Sequence, residues 1–345
     1  ANLGLSKPAT DAELLDVLRK FTFNDPDKNG QDDTWGISSA GSGKGLGELL
    51  NLQAMYGPCC GFYVTDDGQT QYPVTDGSHR KALELIRTIV QEKLVDPDFY
   101  TQGWEQRKPK LHSGKIGVAY YPPEPLISEA EQANGGTGST LGWWTEFLPK
   151  GGELGGKRPY TGLLDGMYAV SANAAKDPAK LEKIFEILDG VTYPNEAFYA
   201  LRWGIGVDGQ ELLDAGNGLK ALAWENDHYR KQFPGAFDYG TWIYTSRDQV
   251  VELQSGTEVG EAIKKAKAIN QRLEGMESYK NYHDLLNLDL QTLTDLETIK
   301  SEFEIQYVLG KTDDYEGFKQ KWLKSGGQKL IDDATRQFKN LGFIQ

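Results

Sequence analysis

The chain has 345 residues, 39% of them hydrophobic, and carries 50 acidic against 37 basic side chains for a net charge of -13. That length suits two domains or one large α/β domain, and so acidic a balance argues against nucleic acid as a partner. No apolar run is long enough to span a membrane, and the adjacent cysteines Cys59 and Cys60 cannot staple distant parts of a fold.

In chain order, Thr10 and Glu13 make a capping box, and Leu14, Val17, Leu18 and Phe21 recur at helical spacing, predicting a helix over 11–22. The acidic stretch DPDKNGQDDTWG follows at 25–36, then a glycine-rich segment, SSAGSGKGLG, at 38–47, and a helical stretch to Tyr56. Phe62 to Val64 and Gln69 to Tyr72, separated by Asp67-Gly68, predict a β-hairpin. Residues 78–94 predict a helix with Ser78 as its cap, and Lys115 to Tyr121 a short strand ended by Pro122-Pro123. Met167 to Val170 reads as a strand, and Asp177-Pro178 opens a helix to Leu188. Beyond residue 245 the segments 257–275, 293–309, 314–324 and 327–340 all carry helical periodicity.

The acidic stretch admits two readings. Asp25, Asp27 and Asn29 fall at positions 1, 3 and 5 of a calcium loop, with Gly30 at 6, Gln31 at 7 and Asp33 at 9. Position 12 is Gly36 instead of a bidentate glutamate, which excludes a standard EF-hand. The alternative is a polar turn built from residues that favour turns. The glycine-rich segment fails as a phosphate loop, because Ser38 and Gly45 stand where Gly and Ser or Thr are required. It reads either as a plain connection or as a loop whose amides and Lys44 meet a polar ligand. Trp35, Trp104, Tyr120, Tyr121, Trp144 and Trp203 sit beside polar neighbours, as rings that stack on sugars do, or as rings that pack a core. No nucleophile elbow or zinc helix motif is present. The four histidines are scattered and expected to face solvent, so nothing marks a catalytic group.

The order of these blocks carries a resemblance. DPDKNGQDDTWGIS, KALELIRTIVQEKLVDPDF, SGKIGVAYY, FLPKGGELGGKRPY, YAVSANAAKDPAKLEKIFEILDGV, LRWGIGVDG and the closing EIQYVLGKTDDYEGFKQKWLKSGGQKL together resemble the extracellular solute-binding proteins, family 1, of ABC importers, in their oligosaccharide branch. The resemblance implies an α/β, periplasmic-binding-protein-like type II fold: two lobes around a hinge, with a mainly helical C-terminal part. Expected divisions are 1–160 as the second lobe with the calcium loop, 161–245 returning to the first lobe, and 246–345 as closing helices. It implies a structural calcium ion on Asp25, Asp27, Asn29, the Gln31 carbonyl and Asp33, with Thr34 where relatives often have a further glutamate. It also implies that the chain begins within a longer protein, ahead of which lie a signal and most of the first lobe.

By position, Lys44, Tyr121, Glu124, Trp144 and Trp203 are the residues expected at an oligosaccharide cleft. The implied protein is an extracytoplasmic monomer, lipid-anchored or periplasmic, that hands its ligand to an ABC permease and is no enzyme. A carbohydrate-active hydrolase with a calcium-stabilised loop, and a receptor for a peptide or other polar solute, stay open as alternatives.

Overall fold

The computed structural model describes residues 3–59, 61–135, 139–143, 149–152, 155–157, 170–191, 212–216, 219–222 and 281–344, with a few isolated positions between. It divides into two compact units, one of 1–134, 142–163 and 269–345, the other of 135–141 and 164–268.

The first unit opens with α1 (Asp11–Phe23), whose Thr10 hydroxyl accepts from the Glu13 amide at 3.2 Å while Glu13 reaches back to the Ala9 amide at 2.7 Å. Leu14, Val17 and Leu18 face inward. Beneath them β1 (Trp35–Ile37) pairs in parallel with β4 (Ile116–Val118), in the register Trp35 to Ile116 and Ile37 to Val118. Val95 bridges Ile37 on the other side, again in parallel. Each strand has glycine at its centre for a steric reason. A Cβ on Gly36 would lie 2.7 Å from the Leu18 carbonyl oxygen, and one on Gly117 would lie 2.5 Å from the Phe21 ring. Only bare backbone lets α1 come that close.

Between the strands run a 3-10 turn (Gly47–Met55) and a hairpin of β2 (Tyr63–Val64) with β3 (Thr70–Gln71), which is antiparallel as its Asp-Gly turn predicts. The stretch before Tyr56 is thus 3-10 instead of α. After α2 (Pro73–Asp76) comes α3 (Ser78–Gln91), whose Ala82, Leu83, Leu85, Ile86 and Ile89 form one buried stripe. Ser78 is not its cap: it sits buried inside the first turn, and its amide donates to Asp76 Oδ1 at 2.6 Å. α4 (Trp104–His112) and α5 (Pro123–Ala133) flank β4.

The C-terminal helices complete the same core. α7 (Leu290–Val308), α8 (Tyr315–Trp322) and α9 (Gln328–Asn340) bring Trp322, Phe318 and Phe338 against residues from the first hundred. Trp322 stacks on Tyr72 with centroids 4.8 Å apart, and Phe303 on Phe318 at 4.0 Å. In the second unit, α6 (Pro178–Gly190) starts where Asp177-Pro178 predicts, with the Asp177 carboxylate accepting from the Ala179 and Lys180 amides. β5 (Leu212–Gly216) and β6 (Leu219–Leu222) form an antiparallel pair. The strand expected at Met167 and most of the helix expected at 257–275 lie outside the described residues. No described helix is long and apolar enough to cross a membrane.

Candidate functional site

Parallel strands release their loops from the same end, and in open α/β sheets that carboxyl end is where ligands sit. Here it gathers the loops that follow Ile37, Val95 and Val118. A buried polar network ties the first two. Asp96, without exposed surface, accepts from Ser38 Oγ at 3.0 Å, Gln102 Nε2 at 2.7 Å and Lys110 Nζ at 2.9 Å. Burial alone would raise the Asp96 pKa, but Lys110 and the other donors outweigh it and hold the carboxyl below its usual range.

Next to this network lies an aromatic pair. Trp104, at the start of α4, stacks on Tyr121 beyond the end of β4, with centroids 4.5 Å apart. The Arg107 guanidinium lies 4.5 Å from the Trp104 ring centre and 5.7 Å from that of Tyr121. Arg107 is 0% exposed; its Nη2 donates to the Tyr120 carbonyl at 3.3 Å, and its Nη1 lies 3.2 Å from Glu48 Oε2. That carboxylate accepts from the Ala40 amide and Ser39 Oγ, at the foot of the glycine-rich loop. Burial lowers the Arg107 pKa, opposed by Glu48.

Of the sequence-predicted ligand residues, Lys44 is exposed on the glycine-rich loop, whose Gly43 carbonyl accepts from Tyr100 Oη at 2.8 Å. It borders a groove of about 650 Å³ shared with Tyr100, Thr298, Ser301 and Lys311. Tyr121 belongs to the neighbouring loop but is only 8% exposed, and its hydroxyl donates to Glu129 at 2.5 Å. Its ring supports the site from beneath, while the adjacent Tyr120 is 52% exposed. Glu124 falls in the first turn of α5, its side chain outside the described residues, as are Trp144 and Trp203 entirely. Sequence reasoning passed over Arg107, Glu48 and Glu129. The Trp104–Arg107 spacing, i to i+3 on a helix, was a usable signal for the first; nothing local marks the others.

The acidic loop curls around Asp25. Its two carboxylate oxygens accept from the Asn29 and Gly30 amides, each at 3.0 Å, and the Gly30 amide leads in holding the Asp25 pKa down. The Asn29 side-chain amide bridges Asp27 Oδ2 at 2.9 Å and Asp33 Oδ1 at 3.2 Å. Lys115 donates to Asp33 at 2.6 Å and lowers its pKa. The side-chain and carbonyl oxygens of the loop are the kind of ligand a hard cation takes, and the Asn29 side chain draws Asp27 and Asp33 together while Asp25 meets the loop's backbone amides. They are joined by hydrogen bonds: among the described residues no three His, Cys, Asp or Glu side chains converge as a metal cluster.

One expectation is corrected outright. His79 is 2% exposed, not solvent-facing. Its Nε2 lies 2.8 Å from Glu304 and its Nδ1 2.9 Å from Tyr315 Oη, so the ring fills the α3–α7–α8 interface with both nitrogens satisfied. His112 and His283 are also mostly enclosed, and burial lowers the pKa of each.

No family model matches the chain. It is 22% identical to lipoprotein LipO of Bacillus subtilis, over 98% of this chain and 67% of LipO. It is also 22% identical to the polygalacturonan/rhamnogalacturonan-binding protein YtcQ of the same organism, over 98% of this chain and 66% of YtcQ. The chain thus spans about two thirds of the length of these relatives. Among solved structures, an EF-hand mutant of the Streptococcus pneumoniae ABC-transporter substrate-binding protein FusA, in complex with fructo-nystose, matches with TM-score 0.66 and 15% identity, covering 99% of this chain and 70% of that one. The alginate-binding protein AlgQ2, without calcium ion, matches with TM-score 0.63 and 14% identity over 98% and 69%. The fold class expected from the sequence, α/β of the periplasmic-binding-protein type, is the one these structures share with it.

Proposed function

We propose, from the premise that this chain has the fold and kinship of the ABC-importer solute-binding proteins, that it binds an oligosaccharide and delivers it to an ABC permease without altering it. The observation that carries the reading is the gathering of Tyr120, Trp104, Arg107 and the Lys44 loop at the carboxyl ends of the parallel strands. Aromatic faces stack on the apolar faces of sugar rings, and a few fixed polar groups then orient the hydroxyls. Support for a saccharide comes also from the sugars named for YtcQ, FusA and AlgQ2. A hydrolase would need a pair of carboxyls set for acid and nucleophile or base; the kinship favours a receptor over that alternative.

In this reading residues 1–160 build the second lobe, 161–245 return to the first, and 246–345 close the chain. The grouping of 1–134 with 269–345 in one unit supports setting the closing helices on the lobe that bears the acidic loop. A calcium ion, held by Asp25, Asp27, Asn29, the Gln31 carbonyl and Asp33, fastens that loop and does no chemistry. Lys44, Glu124, Trp144 and Trp203 complete the ligand site. The protein works as an extracytoplasmic monomer, lipid-anchored or periplasmic.

The test is calorimetric titration with a fructo-oligosaccharide, an oligogalacturonide and an alginate oligosaccharide, each mixture then analysed for cleaved product. Saturable binding of one probe, at one site and without cleavage, is expected. Cleavage would transfer the chain to the hydrolase class, and binding of none would remove the saccharide reading.

A further inference from the structure

We propose that Arg107 is a positioning residue that sets ligand affinity by locking the three loops of the site into one arrangement; this rests on the saccharide reading. Arg107 itself sits on α4, which follows the loop after Val95, and two of its contacts reach the other two loops. The guanidinium lies against Trp104 one turn earlier on the same helix, donates to the Tyr120 carbonyl beyond β4, and pairs with Glu48 at the far end of the glycine-rich loop. Glu48 in turn holds the Ala40 amide and Ser39 Oγ at the near end of that loop, with Lys44 between.

The cost of this arrangement shows that it is more than filling. A buried cation loses its hydration, and Arg107 has no exposed surface. Its Nε and Nη1 make no hydrogen bond of good geometry, so ring faces, the Tyr120 carbonyl and a single carboxylate offset the loss. An apolar side chain of similar volume would fill the same space without that penalty. What it would not do is bind two ring faces, a carbonyl and a carboxylate from one planar group. Lysine, a point charge on a flexible stem, would not do so either. The return is preorganisation: with Tyr120, Trp104 and Lys44 already placed, the ligand does not have to order them.

The experiment titrates the same three oligosaccharides into the wild type, Arg107→Lys, Arg107→Ala and Glu48→Gln, with thermal melts of each. Arg107→Ala and Arg107→Lys are expected to weaken binding about tenfold with stoichiometry retained, and Glu48→Gln by a smaller factor in the same direction. Millimolar methylguanidinium should restore affinity to Arg107→Ala, and methylammonium should not, a readout that a merely stabilising residue would not move. Should Arg107→Ala fail to fold, Glu48→Gln and Arg107→Lys decide. Wild-type affinity in Arg107→Lys or in both remaining variants overturns the proposal while leaving the saccharide reading intact. A wild type that binds no probe overturns the saccharide reading, and this proposal with it.

Discussion

Asp96 shows how one carboxylate governs the shape of the site's floor. It has no exposed surface, and its oxygens are shared among Ser38, Gln102 and Lys110, side chains that come from three separate segments. Because its folded pKa lies below the ordinary carboxylate value, its stabilisation is complete above about pH 4 and fades as pH falls through the depressed value. Asp96→Asn should therefore cost about 3 kcal/mol at pH 7, where it breaks a buried ion pair. Urea unfolding of mutant and wild type between pH 6 and about pH 2 checks this. Their difference should shrink only in the acid part of that range, and a pH-independent difference would mean that the charge is not the cause. His79 teaches the complementary lesson. Its neighbours Arg80 and Lys81 suggest a wet surface, yet the ring lies buried between Glu304 and Tyr315, more than two hundred positions away.

At the scale of elements, the local code is clear where it is short-ranged. Thr10, Asp177 and the Asp67-Gly68 turn each do what their chemistry dictates, within four residues of themselves. The packing of α1 on β1 and β4 is not local. It depends on Gly36 and Gly117 standing opposite Leu18 and Phe21, which the sequence records only as two glycines in apolar runs. Gly36→Ala should cost about 2 kcal/mol or more, because the Cβ meets helix backbone that has nowhere to retreat. Gly117→Ala should cost less, since the Phe21 ring can turn aside. Chemical denaturation of both variants measures the order, and equal small effects would mean that α1 sits more loosely than described.

For the molecule as a whole, the first and last segments of the chain share one core: α3 stacks on α7, and Trp322 lies against Tyr72. Fastening the acidic loop, which joins α1 to β1, should then be felt across that core. Calcium is expected to raise the thermal midpoint of the wild type relative to EDTA, by a margin that grows with calcium concentration, and to leave Asp27→Ala unmoved. Identical melts of the wild type in calcium and EDTA would identify the loop as a polar turn held by Asp25, Asn29 and Lys115 without a metal. The outcome bears on stability only, so it leaves the saccharide reading to its own test.

The sequence by itself determined what depends on neighbours along the chain: the caps, the helical stripes, the hairpin, the oxygen-rich loop, and the block order that resembles the solute-binding proteins. These follow from periodicity and turn chemistry, which act over a few residues. Tertiary structure decided the rest. Whether Tyr120 or Tyr121 is exposed depends on the twist of a strand end and on Trp104 lying beneath it. Arg107 looks in the sequence like one more solvated charge between Gln106 and Lys108. Trp104 is one turn away on the same helix, but Arg107 becomes the centre of the proposed site only when folding brings Glu48, Tyr120 and Tyr121 around it. A cation's worth is set by what surrounds it after water has left, and no stretch of sequence contains that neighbourhood.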